Sequence, residues 1–388
     1  MREQMRSTSK TSGHGFTLIE MMIALTLGLI LVAAAVNLFS KGMSATWLIS
    51  QRAELQQNAR ASSNLLYKDV SLAGSGLPTG GVALASGTAS KPVYGCDYTG
   101  VCHLGPLNSA STTYPNQVDP ISGLSINFLY GVIPGWKGGV TVNAGVGATD
   151  VITTVYADTA FLLSDYTVKF NDVNGNSVTF TLPAPAPNPL DQAVNNTGVG
   201  LQQGDLVLFT ANAGSAYAVA EVTAPVPAGG GPSYTVAFAN NDTLLFNQNA
   251  STSNDLKQIA TAAGIAGPAA GVTATRIWAI TYYLDNTTTP GTPTLMRLVN
   301  ARKPVPVAEN VADLRFTYDT YDSSGTLLNA TGDGGMSLPV PVSPSQIRTI
   351  NVAHLTMRSQ LPGKPGYQSM DMQTSISARN MSYIDRYK

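Results

Sequence analysis

From Phe16 to Phe39 the chain reads FTLIEMMIALTLGLILVAAAVNLF, 24 residues that carry a single charge, Glu20. A run of that length crosses a hydrocarbon core of about 30 Å as one helix. Residues 1–15, MREQMRSTSKTSGHG, set Arg2, Arg6 and Lys10 against Glu3 and hold no large apolar stretch. They read as a basic leader that stays in the cytoplasm while the remainder is exported. Two fates compete for the apolar segment. As an ordinary signal peptide it would be cut near Ala33-Ala34-Ala35 and discarded; as an anchor it would be kept.

The continuation favours retention. Past Lys41 no proline occurs until Pro78, and Leu55, Ala59, Ser62, Leu66 and Val70 recur at helical spacing. They form a narrow apolar stripe on a helix whose other face carries Arg52, Glu54, Gln56, Gln57, Arg60, Lys68 and Asp69. One helix from Phe16 to Leu72 would be roughly 85 Å long, membrane-embedded in its first half and amphipathic in its second. Glu20 is expensive within an apolar span, about 2.5–3.5 kcal/mol near its centre and less near an interface, so it calls for a partner.

From Gly74 onwards Gly, Pro, Thr, Ser, Val and Tyr dominate, and strand signals replace helical ones. Strands are expected at 125–130, 150–156, 167–171 paired with 177–182 across Asn174-Gly175, 206–210, 216–223, 234–238, 276–284, 294–299, 313–319 and 349–358. Alternation such as Leu314, Phe316, Tyr318 against Arg315, Thr317, Asp319 predicts antiparallel sheet with one face covered. Pro-rich breaks at 183–189 and 225–232 mark loops. The predicted class is therefore α+β: a long N-terminal helix packed on an antiparallel sheet head with a large β-rich insertion. The expected divisions are a leader at 1–15, a helix at 16–72 with 16–39 transmembrane, an exported insertion at 73–274 and a C-terminal sheet region at 275–388.

Cys96 and Cys102 enclose DYTGV in the exported block. An oxidising compartment and this spacing predict a disulfide that braces a short loop. His103 beside them is only a weak hint of a thiolate metal site.

Gly15-Phe16-Thr17-Leu18-Ile19-Glu20, after a basic leader and before an uninterrupted apolar run, closely resembles the class III signal of type IV pilins and pseudopilins. That resemblance implies cleavage by a prepilin peptidase between Gly15 and Phe16 and N-methylation of Phe16. It further implies that the Glu20 carboxylate neutralises the Phe16 ammonium within the assembled bundle. The region Val36-Asn37-Leu38 lacks the helix-breaking proline common in major pilins, leaving Gly28 and Asn37 as the weak helix formers. A second resemblance, to the PilW family of minor pilins, is carried by segments 276–284, 294–298, 307–318, 347–359 and 374–380. On the residues themselves these read as sheet strands with one connecting amphipathic segment around Val307–Leu314. Together the two cover about 1–75 and 275–388, and the block 80–270 resembles no named family.

What the resemblance implies is a minor pilin that primes, assembles or caps a type IV pilus. Its partners would be other minor pilins and the major pilin through the helix, the prepilin peptidase, the assembly platform and a tip adhesin. It would reside in the inner membrane with its head in the periplasm, and later at the pilus tip. A J-like type II secretion pseudopilin and a signal-anchored adhesin share much of this design.

No enzyme is expected: GxSxG, HExxH, Walker and GxGxxG signatures are missing, and only His103 and His354 follow the leader. His354 alternates with Ile350, Val352 and Thr356 as a strand residue would. No cofactor or metal is expected either. Asp172-Val-Asn174-Gly-Asn176 looks superficially like a calcium loop, but its glycine is one place early and no bidentate Glu follows, so a hairpin turn fits better. Charge is segregated. Residues 1–79 hold seven basic and four acidic groups, 80–270 four and eleven, and 271–388 eleven and eight. A −7 insertion argues against nucleic acid, for which Arg297, Arg302 and Lys303 supply the residual cationic surface.

Overall fold

A computed structural model describes residues 15–78, 80–85, 95–102, 128–135, 137–143, 145, 147–185, 193–211, 214–229, 231–240, 242–247, 254–287, 291–321, 324–329, 346–359 and 367–381. The expected leader up to His14, His103, the start of the strand at 125–130 and most of the 183–189 break lie outside them. The chain divides into two compact units, residues 1–54 and 55–388.

Helix α1 runs Leu18–Ser71 and passes Gly28 and Asn37 without a break. Its part in the first unit exposes the whole apolar run apart from half-buried Gly28. In the second unit it buries Leu55, Ala59, Ser62, Leu66, Asp69 and Val70. This is the predicted stripe with one correction. Asp69, assigned to the polar face, is buried to 1% exposure.

The strands are β1 (Val82–Ala83), β2 (Phe128–Leu129), β3 (Val132–Gly135), β4 (Thr141–Asn143), β5 (Gly147–Ala148), β6 (Val151–Ala157), β7 (Thr167–Phe170), β8 (Ser177–Thr181), β9 (Leu206–Ala211), β10 (Ala216–Glu221) and β11 (Ser233–Ala237). After helix α2 (Leu256–Ala263) come β12 (Val272–Asp285), β13 (Thr294–Val299), β14 (Val305–Ala308), β15 (Val311–Tyr321), β16 (Leu327–Asn329), β17 (Ile347–Arg358) and β18 (Ser369–Ser377).

Three sheets carry the body, and every pairing among the described residues is antiparallel. The largest has the order β10-β9-β12-β13-β14, with β6 on β12 and β3 on β6. The others are β16-β15-β17-β18 and β11-β8-β7. Strand β12 is long enough to hold three partners: β9 along Val272–Ile277, β6 along Ile277–Tyr282 and β13 along Ile280–Asp285. Every residue of β6 is buried, as befits an inner strand. Its Thr153 is accommodated because the hydroxyl meets that of Thr281 across the ladder at 2.7 Å.

Two expectations need correction. The segment Val307–Leu314 is not an amphipathic connector but the end of β14 and the start of β15, turned at Asn310, which has φ 59°. Helix α2 falls within the block read as all strand and loop. Asp255 caps it by accepting from Gln258 N at 2.8 Å, and Gly264, at φ 76°, ends it with its N–H on Ala260 O. Both were legible as helix start and stop signals.

The core that holds α1 joins Leu55, Ala59, Leu66 and Val70 to Ile280, Tyr282, Leu284 and Leu295 of the large sheet. From the four-stranded sheet come Leu314, Phe316, Tyr318, Ile350, Val352 and Leu355. The helix exit is tight: Gly74 N donates to Val155 O at 2.8 Å, and a Cβ on Gly131 would stand 2.6 Å from Gly74 N. Only glycine at 131 permits that approach.

A polar bolt crosses this core. Asp69 accepts from Tyr282 Oη at 2.6 Å, Tyr156 Oη at 3.1 Å and Arg297 Nε at 2.7 Å. Burial and the Asp69 charge push both phenols above their ordinary value, so each stays a donor, and the same carboxylate raises Arg297. A buried carboxylate is tolerated when paired and fully hydrogen-bonded.

Seven of the eleven acidic residues at 80–270 are buried as well: Asp97, Asp150, Asp158, Asp205, Glu221, Asp242 and Asp255. The acidic excess is therefore largely internal, and the −7 total does not describe the surface. Asp150 accepts from Lys137 N and Phe316 N, and Asp205 is clamped by Arg302 at 2.7 and 2.8 Å. Arg276, over the rings of Phe161 and Trp278, binds Asp158. Among the described residues no cation pairs with Glu221 or Asp242. Glu221 Oε2 accepts from Leu244 N, while Asp242 accepts from Phe246 N and Asn247 N. Burial and the neighbouring Asp242 charge push Glu221 up to about 9, and burial raises Asp242 too.

Truncating Asp69→Ala strands Arg297 and should lower stability by about 3–5 kcal/mol, whereas Tyr282→Phe should cost only about 1 kcal/mol. Urea midpoints of the detergent-solubilised chain check the ranking. For Glu221, a carboxyl raised in the fold stabilises below its ordinary value of 4.5 and loses that contribution as pH climbs towards about 9. Melting temperature should accordingly fall between about pH 5 and about pH 9, and Glu221→Gln, which stays neutral, should flatten the decline. An unchanged slope in that variant would assign the pH dependence elsewhere.

Candidate functional site

The residues singled out at the N-terminus gather at one helix end. Gly15, Phe16 and Thr17 precede α1 without regular structure, and all three are exposed. A peptidase can therefore reach the Gly15–Phe16 bond without unwinding a helix. Thr17 is the cap. Its N–H donates to Glu20 Oε2 at 2.9 Å, its hydroxyl to the same oxygen at 3.0 Å, and Glu20 N donates back to Thr17 Oγ1 at 3.3 Å. The first helical bond follows, from Met21 N to Thr17 O at 3.2 Å. This is the reciprocal capping box of Thr-x-x-Glu, and the carboxylate also complements the positive end of the helix dipole. The spacing Thr17…Glu20 carries that signal in the sequence, beside the charge of Glu20.

Glu20 is thus already engaged by its own chain, in the turn next to Phe16. An amine created at Phe16 would be one residue from Thr17 N–H, which the carboxylate accepts. The arrangement can bring a positive N-terminus and a negative side chain together at the same helix end.

Further along, three hydroxyls bond back to the helix itself. Thr26 Oγ1 donates to Ile23 O at 2.9 Å, Ser44 Oγ to Ser40 O at 3.0 Å and Thr46 Oγ1 to Gly42 O at 3.0 Å. Such back-bonding removes the need for water, and the segment is long and apolar enough to cross a bilayer.

The other candidate residues do not join this site. Cys96 and Cys102 form a disulfide across an antiparallel bridge. Within its loop Asp97 accepts from Thr99 N at 2.9 Å and Val101 N at 3.3 Å. His354 lies in β17 with Nδ1 2.8 Å from Asp371 Oδ2 of β18. Asp172 accepts from Asn174 N, Asn176 N and Ser177 N, which makes the segment a hairpin turn whose carboxylate is occupied by backbone. Among the described residues no group of three or more His, Cys, Asp or Glu side chains could hold a metal.

The cationic surface also needs correction. Arg297 is tied to Asp69 and Arg302 to Asp205, so of the three named cations only exposed Lys303 has no carboxylate against it among the described residues.

Residues 11–36 match the family described as the prokaryotic N-terminal methylation motif. No curated protein and no solved structure matches the chain. The matched stretch contains Gly15, Phe16 and Glu20 and ends inside the apolar part of α1. It supports a protein of the type IV pilin or pseudopilin type, and with the apolar helix it points to one that is anchored in a membrane.

Proposed function

We propose that this chain is a minor pilin of the PilW kind. It is inserted in the inner membrane by α1, cut between Gly15 and Phe16, methylated on the new amine of Phe16, and assembled by its helix with other minor pilins and the major pilin. The β-rich body lies in the periplasm before assembly and on the pilus afterwards, at the tip, where it primes or caps the fibre and supports an adhesin. The chemistry is association, not turnover.

The observation that carries the reading is the methylation motif, whose Gly15-Phe16 bond sits in exposed backbone directly before a capped, apolar helix. In an apolar bundle an ammonium on Phe16 and a carboxylate on Glu20 are each costly alone and tolerable as a pair. Pilus and type II secretion subunits share that motif, so the fibre that recovers the chain separates the two.

Mass spectrometry of the purified chain should find an N-terminus at methylated Phe16; a start at Val36 would overturn the proposal. Glu20→Ala and Glu20→Gln separate the two roles of the side chain. The amide can still accept from Thr17 but carries no charge. Both variants should be processed normally yet fall by at least about tenfold in sheared pili, the loss expected when one member of a desolvated ion pair is removed. Normal recovery of the glutamine variant would reduce Glu20 to a helix cap.

A further inference from the structure

A groove of about 510 Å³ opens on the body, lined by Tyr98 of the disulfide loop, Asn195, Gln202, Gln203, Arg302 and Lys303 among others. That volume is in the range of small-ligand sites, about 300–1,000 Å³. Its polar groups are fixed in one sense. Asn195 Nδ2 donates to Pro227 O at 2.8 Å and Gly229 O at 3.1 Å. Gln202 Nε2 donates to Thr197 O at 3.0 Å, and Gln203 Nε2 to Thr223 O at 3.0 Å. With each amide nitrogen held by backbone, the orientation of each amide is set. Its oxygen is left as the acceptor, and among the described residues none of the three oxygens receives a bond.

Three immobilised acceptors suit a ligand rich in hydroxyl donors and disfavour phosphate or sulfate, whose oxygens act chiefly as acceptors. Tyr98 is half-buried, and its backbone is pinned by Tyr98 N to Ala301 O at 2.5 Å and Thr243 Oγ1 to Tyr98 O at 3.2 Å. Its ring packs against the cluster of Val82, Leu129 and Ile133 and lines the groove, where an aromatic ring can meet the C–H side of a pyranose. Arg302 is neutralised by Asp205 and lies over Trp278, its guanidinium carbon 5.2 Å from the ring centre. Exposed Lys303, which has no ion pair among the described residues, supplies a positive charge.

We propose that this groove binds a saccharide bearing a carboxylate, of the hexuronic-acid class. The amide oxygens take its hydroxyls, Tyr98 takes one sugar face, and Lys303 takes the carboxylate. This does not depend on how the chain is anchored or assembled.

Calorimetric titration of the detergent-solubilised full chain tests it with three probes: a galacturonate trisaccharide, a neutral galactose trisaccharide and inorganic phosphate. The acidic trisaccharide should bind saturably and the neutral one more weakly, with phosphate silent. Lys303→Gln should weaken the acidic probe by about tenfold, as for loss of one charge-assisted contact, while leaving the melting temperature and the neutral probe unchanged. Gln203→Leu should weaken both saccharides. The proposal is overturned by no saturable binding of either saccharide at millimolar concentration, by phosphate binding as tightly as the acidic probe, or by equal affinity of the Lys303→Gln variant for it.

Discussion

Asp69 is the residue on which the packing of this protein turns. A helix held by Leu55, Ala59, Leu66 and Val70 alone could slip or rotate at modest cost, because one apolar side chain replaces another in a greasy seam. A buried carboxylate cannot. It must meet Tyr156 from β6, Tyr282 from β12 and Arg297 from β13 at once, and any shift by a turn leaves a charge and three donors unpaired. The bond set therefore fixes the register between the helix and three strands of the large sheet. Its neighbour Ser62 acts by size, closing its hydroxyl on Asn58 O and Ala59 O and letting Met357 approach.

The same use of acid recurs through the body. Carboxylates that a charge count assigns to the surface instead stitch loops to strands, each accepting backbone N–H groups or an arginine. Burying charge in this way limits how many carboxylates remain to meet solvent. It also changes what the surface can recognise: Lys303, without an ion pair among the described residues, stands out more clearly beside oriented amide oxygens once the −7 of the insertion is seen to be largely internal.

Legibility followed the range of the interaction that decides each feature. The stripe at Leu55, Ala59, Ser62, Leu66 and Val70 was readable because helical periodicity is local, as were the Asn174-Gly175 hairpin and the bracing Cys96–Cys102 loop. The burial of Asp69 is not legible locally, because its side chain is polar and its partners lie 87, 213 and 228 residues away. The segment around Val307 looks amphipathic because buried Ala308, Val311 and Leu314 fall three residues apart, a helical spacing that here results from the turn at Asn310 between two strands. Helix α2 is masked in the sequence because its eight residues lie in a block dominated by turn formers, although Asp255 and Gly264 mark its ends.

By itself, the order of residues determined the apolar N-terminal helix, its capped start at Thr17 and Glu20, and the prepilin-type signal beside it, because each depends on neighbours within a few turns of chain. The alternation of residues along each strand likewise marked the body as sheet, while which strands pair was settled by contacts between distant segments. Tertiary structure alone decided that Asp69 faces inward, that Arg297 and Arg302 are spent on internal carboxylates, and that Tyr98, Gln203 and Lys303 meet around one groove. Those outcomes depend on which distant groups satisfy a buried charge or an amide, and no local pattern carries that information.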